Sequence, residues 1–256
     1  MADNSSNDRI RSLLVLLATA GTIAFNILAA MGYVNGVTPA EISEKYTTVI
    51  TPAGYAFSIW SLIYFGLSVF SIYQLLPGNL ARYGGIRTLY IASCVLNCAW
   101  IYFWHHDRPG ICAMLIITLA VVLIIIVAKF AVTTTAIEAI FVKGTLGLYA
   151  GWVTVASIVN VFVLLRSMGS EIALSSTAGV VAVLLAAAMA VFITWKFSNY
   201  LYSVAVAWAL TAIAIQQSGQ TLLVVACSVG VIVSLLMAVS FVLKLPSGIS
   251  QIRENE

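Results

Sequence analysis

Residues 109–129 read PGICAMLIITLAVVLIIIVAK, a run in which the only charge is the closing Lys129. The hydrocarbon core of a bilayer is about 30 Å thick and is crossed by about 20 apolar residues in helical form. The stretch has that length, and the turn Asp107-Arg108-Pro109-Gly110 opens it. Comparable runs fill the chain on both sides. Their limits predict helices over 12–34, 51–76, 86–105, 109–129, 143–165, 172–194, 199–216 and 221–244. The sequence therefore predicts an all-α fold, a polytopic transmembrane bundle of about eight helices.

Composition supports this. Of 256 residues, 62% are hydrophobic and 8% charged, whereas a soluble domain carries about 25% charged residues. A spanning barrel would alternate apolar and polar residues along each strand, and these runs are continuous. The net charge of +3 is too small and too scattered to point to nucleic acid. Cys94, Cys98, Cys112 and Cys227 all fall inside apolar runs and read as small buried hydrophobes. The first run is too long for the apolar stretch of a signal peptide and is read as retained.

Local signals place the boundaries. Thr51-Pro52 opens the second helix with a cap residue and a first-turn proline. Pro77-Gly78-Asn79 closes it, Gln217-Ser218-Gly219-Gln220 separates the last two helices, and Pro246 follows the final span. With eight spans the side of the N-terminus carries Arg9, Arg11, Arg82, Arg87, Lys129, Lys143, Lys196, Lys244 and Arg253, against Lys45, Arg108 and Arg166 opposite. That bias puts both termini in the cytoplasm; in a prokaryote the membrane would be the bacterial inner membrane. The long far-side connection, 35–50, is either a short helix covering a pocket mouth or a solvated loop.

No ionisable residue falls near the middle of a span, which argues against a proton-coupled pump or ion channel. No nucleotide-binding loop and no nucleophile–base constellation appears, so no catalytic residue and no metal site is assigned. His105 and His106, at the rim of the third helix, are read as interfacial polar residues, with haem-iron ligation as the alternative.

The informative residues are aromatic and amide side chains at helical spacing. Trp60 and Tyr64 share a face of the second helix, Asn97 and Trp100 a face of the third, and Trp152, Ala156 and Asn160 a stripe on the fifth. A lone amide in hydrocarbon costs roughly 2–7 kcal/mol, so Asn26, Asn97 and Asn160 should face protein, either as interhelical hydrogen bonds or as the polar points of a pocket. Trp104 and Trp195 are expected in the interfacial aromatic belt. Trp60, Trp100 and Trp152 are expected to turn inward and line an apolar small-molecule site. Gly147 and Gly151 permit close helix approach, within the bundle or in a homodimer.

Phe57-x-x-Trp60-x-x-x-Tyr64, Leu96-Asn97-Cys98-Ala99-Trp100-x-x-Phe103-Trp104 with Arg108-Pro109-Gly110, and Tyr149-x-x-Trp152-x-x-x-Ala156-x-x-x-Asn160 occur in order. Together they resemble helices two to five of the TspO/MBR family, the tryptophan-rich sensory proteins that include the translocator protein. The resemblance implies a five-helix core over 12–166 with a pocket under the first long loop. Residues 1–11 and 245–256 would then be tails, and 167–244 three additional helices of a longer member. It further implies a hydrophobic ligand, a tetrapyrrole such as porphyrin or haem or a sterol, held by Trp60, Tyr64, Asn97, Trp100, Trp152, Ala156 and Asn160. No bound cofactor is required. A receptor or carrier is the first reading, a facilitative transporter or lipid carrier the second, and a porphyrin-modifying membrane enzyme the third.

Overall fold

A computed structural model describes residues 2–130 and 135–253. The remainder of the expected tails, and the side chains of Lys244 and Arg253, lie outside the described residues. The chain runs as α1 (Ala2–Ala30), α2 (Pro39–Lys45), α3 (Ile59–Tyr73), α4 (Arg87–His105), α5 (Pro109–Lys129), α6 (Thr145–Ser167), α7 (Ser176–Phe197), α8 (Tyr200–Gln216) and α9 (Thr221–Arg253), with no strand among the described residues. Six segments, within or containing α1, α3, α5, α6, α7 and α9, are long and apolar enough to cross a membrane. Helix α8 is apolar but shorter, and α4 carries Arg87, Asn97 and His105.

Helix α6 is the axis. Its segment is buried over 72% of the best apolar window, whereas those of α1 and α9 are buried over 28%. Helices α5 and α8 flank it, α3 touches it, and α4 lies between α1 and α5. Helices α7, α8 and α9 pack on one another and close the other side. The glycine step explains the intimacy of α6 and α8. A Cβ on Gly147 would overlap the Asn199 carboxamide, and one on Gly151 would run into the Tyr202 carbonyl. The Gly147–Gly151 face is thus occupied by α8 of the same chain.

Several boundaries move from their expected places. Helix α6 is preceded by a π-helical turn, Glu138–Gly144, in a region read as loop. That turn is held because the Glu138 carboxylate, 1% exposed, accepts from Arg82 at 2.6 and 2.7 Å and from the Tyr83 hydroxyl at 2.8 Å. The second helix starts late: Gly54–Ser58 is a 3-10 turn leading into α3. Ser175 caps α7 by accepting from the Ala178 N–H, which delays its start to Ser176. Helix α7 ends where the sequence breaks, at Ser198 in the left-handed region (φ 53°). Helix α9 continues past Pro246, where it was expected to stop. A proline inside a helix removes one backbone donor and crowds the carbonyl four residues earlier, at about 3 kcal/mol. In the long connection the helical alternative is the one found: α2 carries a complete capping box between Thr38 and Glu41.

Gly151→Ala should lower stability by about 1–3 kcal/mol, because its methyl group meets backbone that has no room to move. Gly21→Ala, with nothing within 4 Å of the added carbon, should leave the thermal midpoint in detergent unchanged or slightly raised.

Candidate functional site

On the far side, away from the N-terminus, α3, α4, α5, α6 and α8 diverge around a chamber. Its walls include Trp60, Asn97, Trp100, Trp152, Ala156 and Asn160, six of the seven side chains singled out from the sequence. Tyr64 stands behind Trp60, stacked on it at 5.3 Å between ring centroids. Phe57, Trp104, Ile116, Leu119, Val155, Ala209 and Ile213 are also in the lining, with Ser43 of α2 and Pro52 above.

The indoles form two walls. Trp60 and Trp152 meet edge to face at 6.2 Å, and Phe57 meets Trp152 in the same way at 6.2 Å. Trp100 and Trp104 stack at 5.4 Å on α4. Trp104 is therefore not in the aromatic belt: it is 4% exposed, and its indole N–H donates to the Pro39 carbonyl at 3.2 Å. Its spacing of four residues from Trp100 was the signal that it shares this face. Trp195, 70% exposed, does lie outward.

Polar groups in the lining are few and mostly paired. Asn26 donates to Asn97 Oδ1 at 2.8 Å, an interhelical bond between α1 and α4. Trp100 Nε1 donates to Asn160 Oδ1 at 3.1 Å, and Asn160 donates to the Ala156 carbonyl at 2.8 Å. Two buried donors in the lining are left without a partner, Asn97 Nδ2 and Trp152 Nε1. An unmet buried donor costs about 1–3 kcal/mol, so both favour an acceptor on whatever enters. The chamber and its mouth together span about 640 Å³ of atom-free space, little of it wide enough for more than a water molecule. It is narrow, and a large ring would have to part its aromatic walls.

Neither histidine lines it. His105 is buried with Nδ1 on the Ile101 carbonyl, and His106 stacks on Tyr102 at the rim. Among the described residues no group of three or more His, Cys, Asp or Glu could hold a metal ion.

The sequence did not foretell that α8 supplies part of the wall, or how it is held there. The Ala53 N–H donates to the Ala212 carbonyl at 3.0 Å, Trp208 Nε1 to the Ala56 carbonyl at 3.1 Å, and Gln217 Nε2 to the Thr48 carbonyl at 3.2 Å. The segment above the chamber is thereby tied to the C-terminal helices.

The family model described as TSPO-like protein matches residues 12–241. The chain belongs to this family. The match runs on into α9, to residue 241, well beyond residue 166, where the resemblance read from sequence motifs ended. No curated protein and no solved structure matches the chain. As a TSPO-like protein it is an integral, multi-pass membrane protein of the ligand-binding or transport kind.

A latch holds α2 over the chamber of this TSPO-like protein. Asp107 accepts from Lys45 Nζ at 2.5 Å and from the Tyr46 hydroxyl at 2.6 Å, and Asn35 donates to the His105 carbonyl at 2.7 Å. The hydrogen bonds from Lys45 and then Tyr46 hold the Asp107 carboxyl below its ordinary value of 3.8. The same Asp107 bond raises Lys45 above 10.5. The depressed carboxyl contributes above its unlatched value and is lost as pH falls through the lower, latched one; the raised ammonium contributes below its unlatched value and is lost as pH rises through the latched one. Amide exchange over residues 39–46, corrected for intrinsic rates, should therefore be flat from about pH 5 to about pH 9. Asp107→Asn, which tolerates the left-handed backbone there (φ 58°), should speed that exchange about twofold to fivefold.

Proposed function

We propose that the protein is a receptor or carrier for a flat hydrophobic ligand, of tetrapyrrole or sterol type, held between the two indole walls. The observation that carries this reading is the convergence of Trp60, Trp100 and Trp152, from three helices, on one chamber that keeps unpaired donors at Asn97 and Trp152. Flat conjugated rings stack on indoles, and the two donors suit a carbonyl or carboxylate on the ligand's edge. Tyr64 backs Trp60, while Ala156 gives a small step in the α6 wall beside Asn160. The termini are proposed to lie in the cytoplasm, from the excess of Lys and Arg on their side.

The chemistry of the lining suits the porphyrin ring better than an iron centre. Among the described residues no His, Cys, Met or Tyr lines the chamber, so no described side chain there would ligate haem iron. The chamber's own residues would bind and orient the ring and keep water from it. Carrying a ligand through the membrane is the second reading, favoured by α8 adding Ala209 and Ile213 to the chamber wall.

Titration with protoporphyrin IX should quench tryptophan fluorescence saturably. Trp60→Ala and Trp152→Ala should each weaken binding about tenfold or more, as expected for large stacked anchors. Quenching by these variants equal to the parent's would place the ligand elsewhere. Haem should bind with an affinity close to that of the metal-free ring and show no absorption shift of axial ligation. Flux of protoporphyrin in proteoliposomes would separate carrier from receptor.

A further inference from the structure

The chamber has neighbours that connect it to the lipid. Val155 and Ile213 line it and also line a small, tight void between α6, α7 and α8, barely large enough for one water molecule. On the far side of that void, Ile158 and Ala182 form a wall it shares with an open groove of about 1030 Å³ between α6 and α7. One layer of side chains therefore separates chamber from void, and another separates void from groove. The groove exists because α7 packs mainly on α9 and touches α6 sparsely. Its lip is lipid-facing: Ile172, Val181 and Leu185 are 55%, 61% and 53% exposed. Apart from Ser175 and Thr177 at the end near the membrane surface, its lining is apolar.

The mouth toward water is closed by comparison. Helix α2 is latched through Asp107, and Trp104 and Asn35 bond across the α2 connection. A hydrophobic ligand partitions into the bilayer rather than into water, so the open apolar side is also where it is concentrated.

We propose that the α6–α7 groove is a lateral docking site and entrance through which a flat hydrophobic ligand, dissolved in the leaflet on the side of α2, reaches the indole chamber. This rests on the receptor reading above. The ligand seats with its polar edge at Ser175 and Thr177 and its apolar body against Val161, Phe162 and Val181. It advances when α7 parts from α6 along their sparse contact, so that Ile158 and then Val155 and Ile213 give way. The route depends on α7, so the C-terminal helices have a task beyond closing the bundle: they create a doorway on the lipid side.

The test is stopped-flow mixing of liposomes that contain the full chain with liposomes preloaded with protoporphyrin IX, followed by quenching of tryptophan fluorescence. Ala182→Phe fills the wall between void and groove. It should slow association and dissociation by the same factor, about tenfold, and leave the equilibrium affinity within about twofold, since no chamber residue is touched. Val181→Phe, at a lipid-facing position outside the packed core, obstructs the lip and should slow both rates in the same sense even if Ala182→Phe fails to fold. Ile158→Ala joins void and groove and should speed both. Asp107→Asn, which loosens α2, should leave the rates unchanged. Parental rates in all three groove variants, or acceleration by Asp107→Asn alone, would overturn the lateral route and leave the groove to a lipid acyl chain. Absence of quenching in the parent would instead overturn the receptor reading, and the route with it.

Discussion

In hydrocarbon no water is at hand to satisfy a polar group, so every amide, hydroxyl and indole N–H must find its partner within the bundle. The arrangement of this protein follows from that constraint. Asn26 reaches Asn97 across α1 and α4, Thr19 meets Tyr90 at 2.8 Å, Tyr202 donates to Thr154 at 2.8 Å, and Trp100 donates to Asn160. Each pairing fixes which face of a helix turns inward. At the end nearest the N-terminus, Arg82 and Tyr83 satisfy Glu138 and so let a helix begin in a segment that reads as a loop. Among the described residues the rule is left unmet at a few buried atoms, and two of them, Asn97 Nδ2 and Trp152 Nε1, line the chamber that α3, α4, α5, α6 and α8 share.

Helix α6 joins the two halves. One face carries Trp152, Ala156 and Asn160 to the chamber; another carries Gly147 and Gly151 to α8. The glycines allow α8 to come close enough for Ala209 and Ile213 to become chamber wall. Helix α8 in turn holds the segment above the chamber through the Ala53, Ala56 and Thr48 backbone. Site and C-terminal helices are consequently one packed unit, and a change at the α6–α8 contact should be felt at the indoles.

The positions of eight helices were legible because a span must be long and apolar and its ends carry turn residues, caps or charge. The chamber residues were legible for a related reason. Indole and amide side chains at three- and four-residue spacing are out of place against lipid, so they mark an inward face. Three things were not legible. Glu138 is satisfied by Arg82 and Tyr83, more than fifty residues away in the chain, so its π-helical turn has no local signal. Trp104 sits at a helix end, where the aromatic belt is the ordinary expectation; its four-residue spacing from Trp100 points the other way, but the bond to Pro39 that decides between the two is tertiary. Ala209 and Ile213 are small or aliphatic residues in an apolar run, and nothing in their identity separates a chamber wall from a lipid face. Pairwise spacing marks a face; it does not say which helix comes to meet it.

The most direct measurement of the central claim is quenching of tryptophan fluorescence by phospholipids brominated along their acyl chains, on a chain carrying Trp195→Phe and Trp208→Phe. Those two indoles are 70% and 37% exposed, while Trp100, Trp104 and Trp152 are 4–5% exposed and Trp60 is half-buried against Tyr64 and Trp152. The account predicts that the four remaining tryptophans are largely shielded from bromine at every depth. Strong residual quenching, comparable to that of the unsubstituted chain, would mean that the indoles face the acyl chains, and there would then be no common chamber.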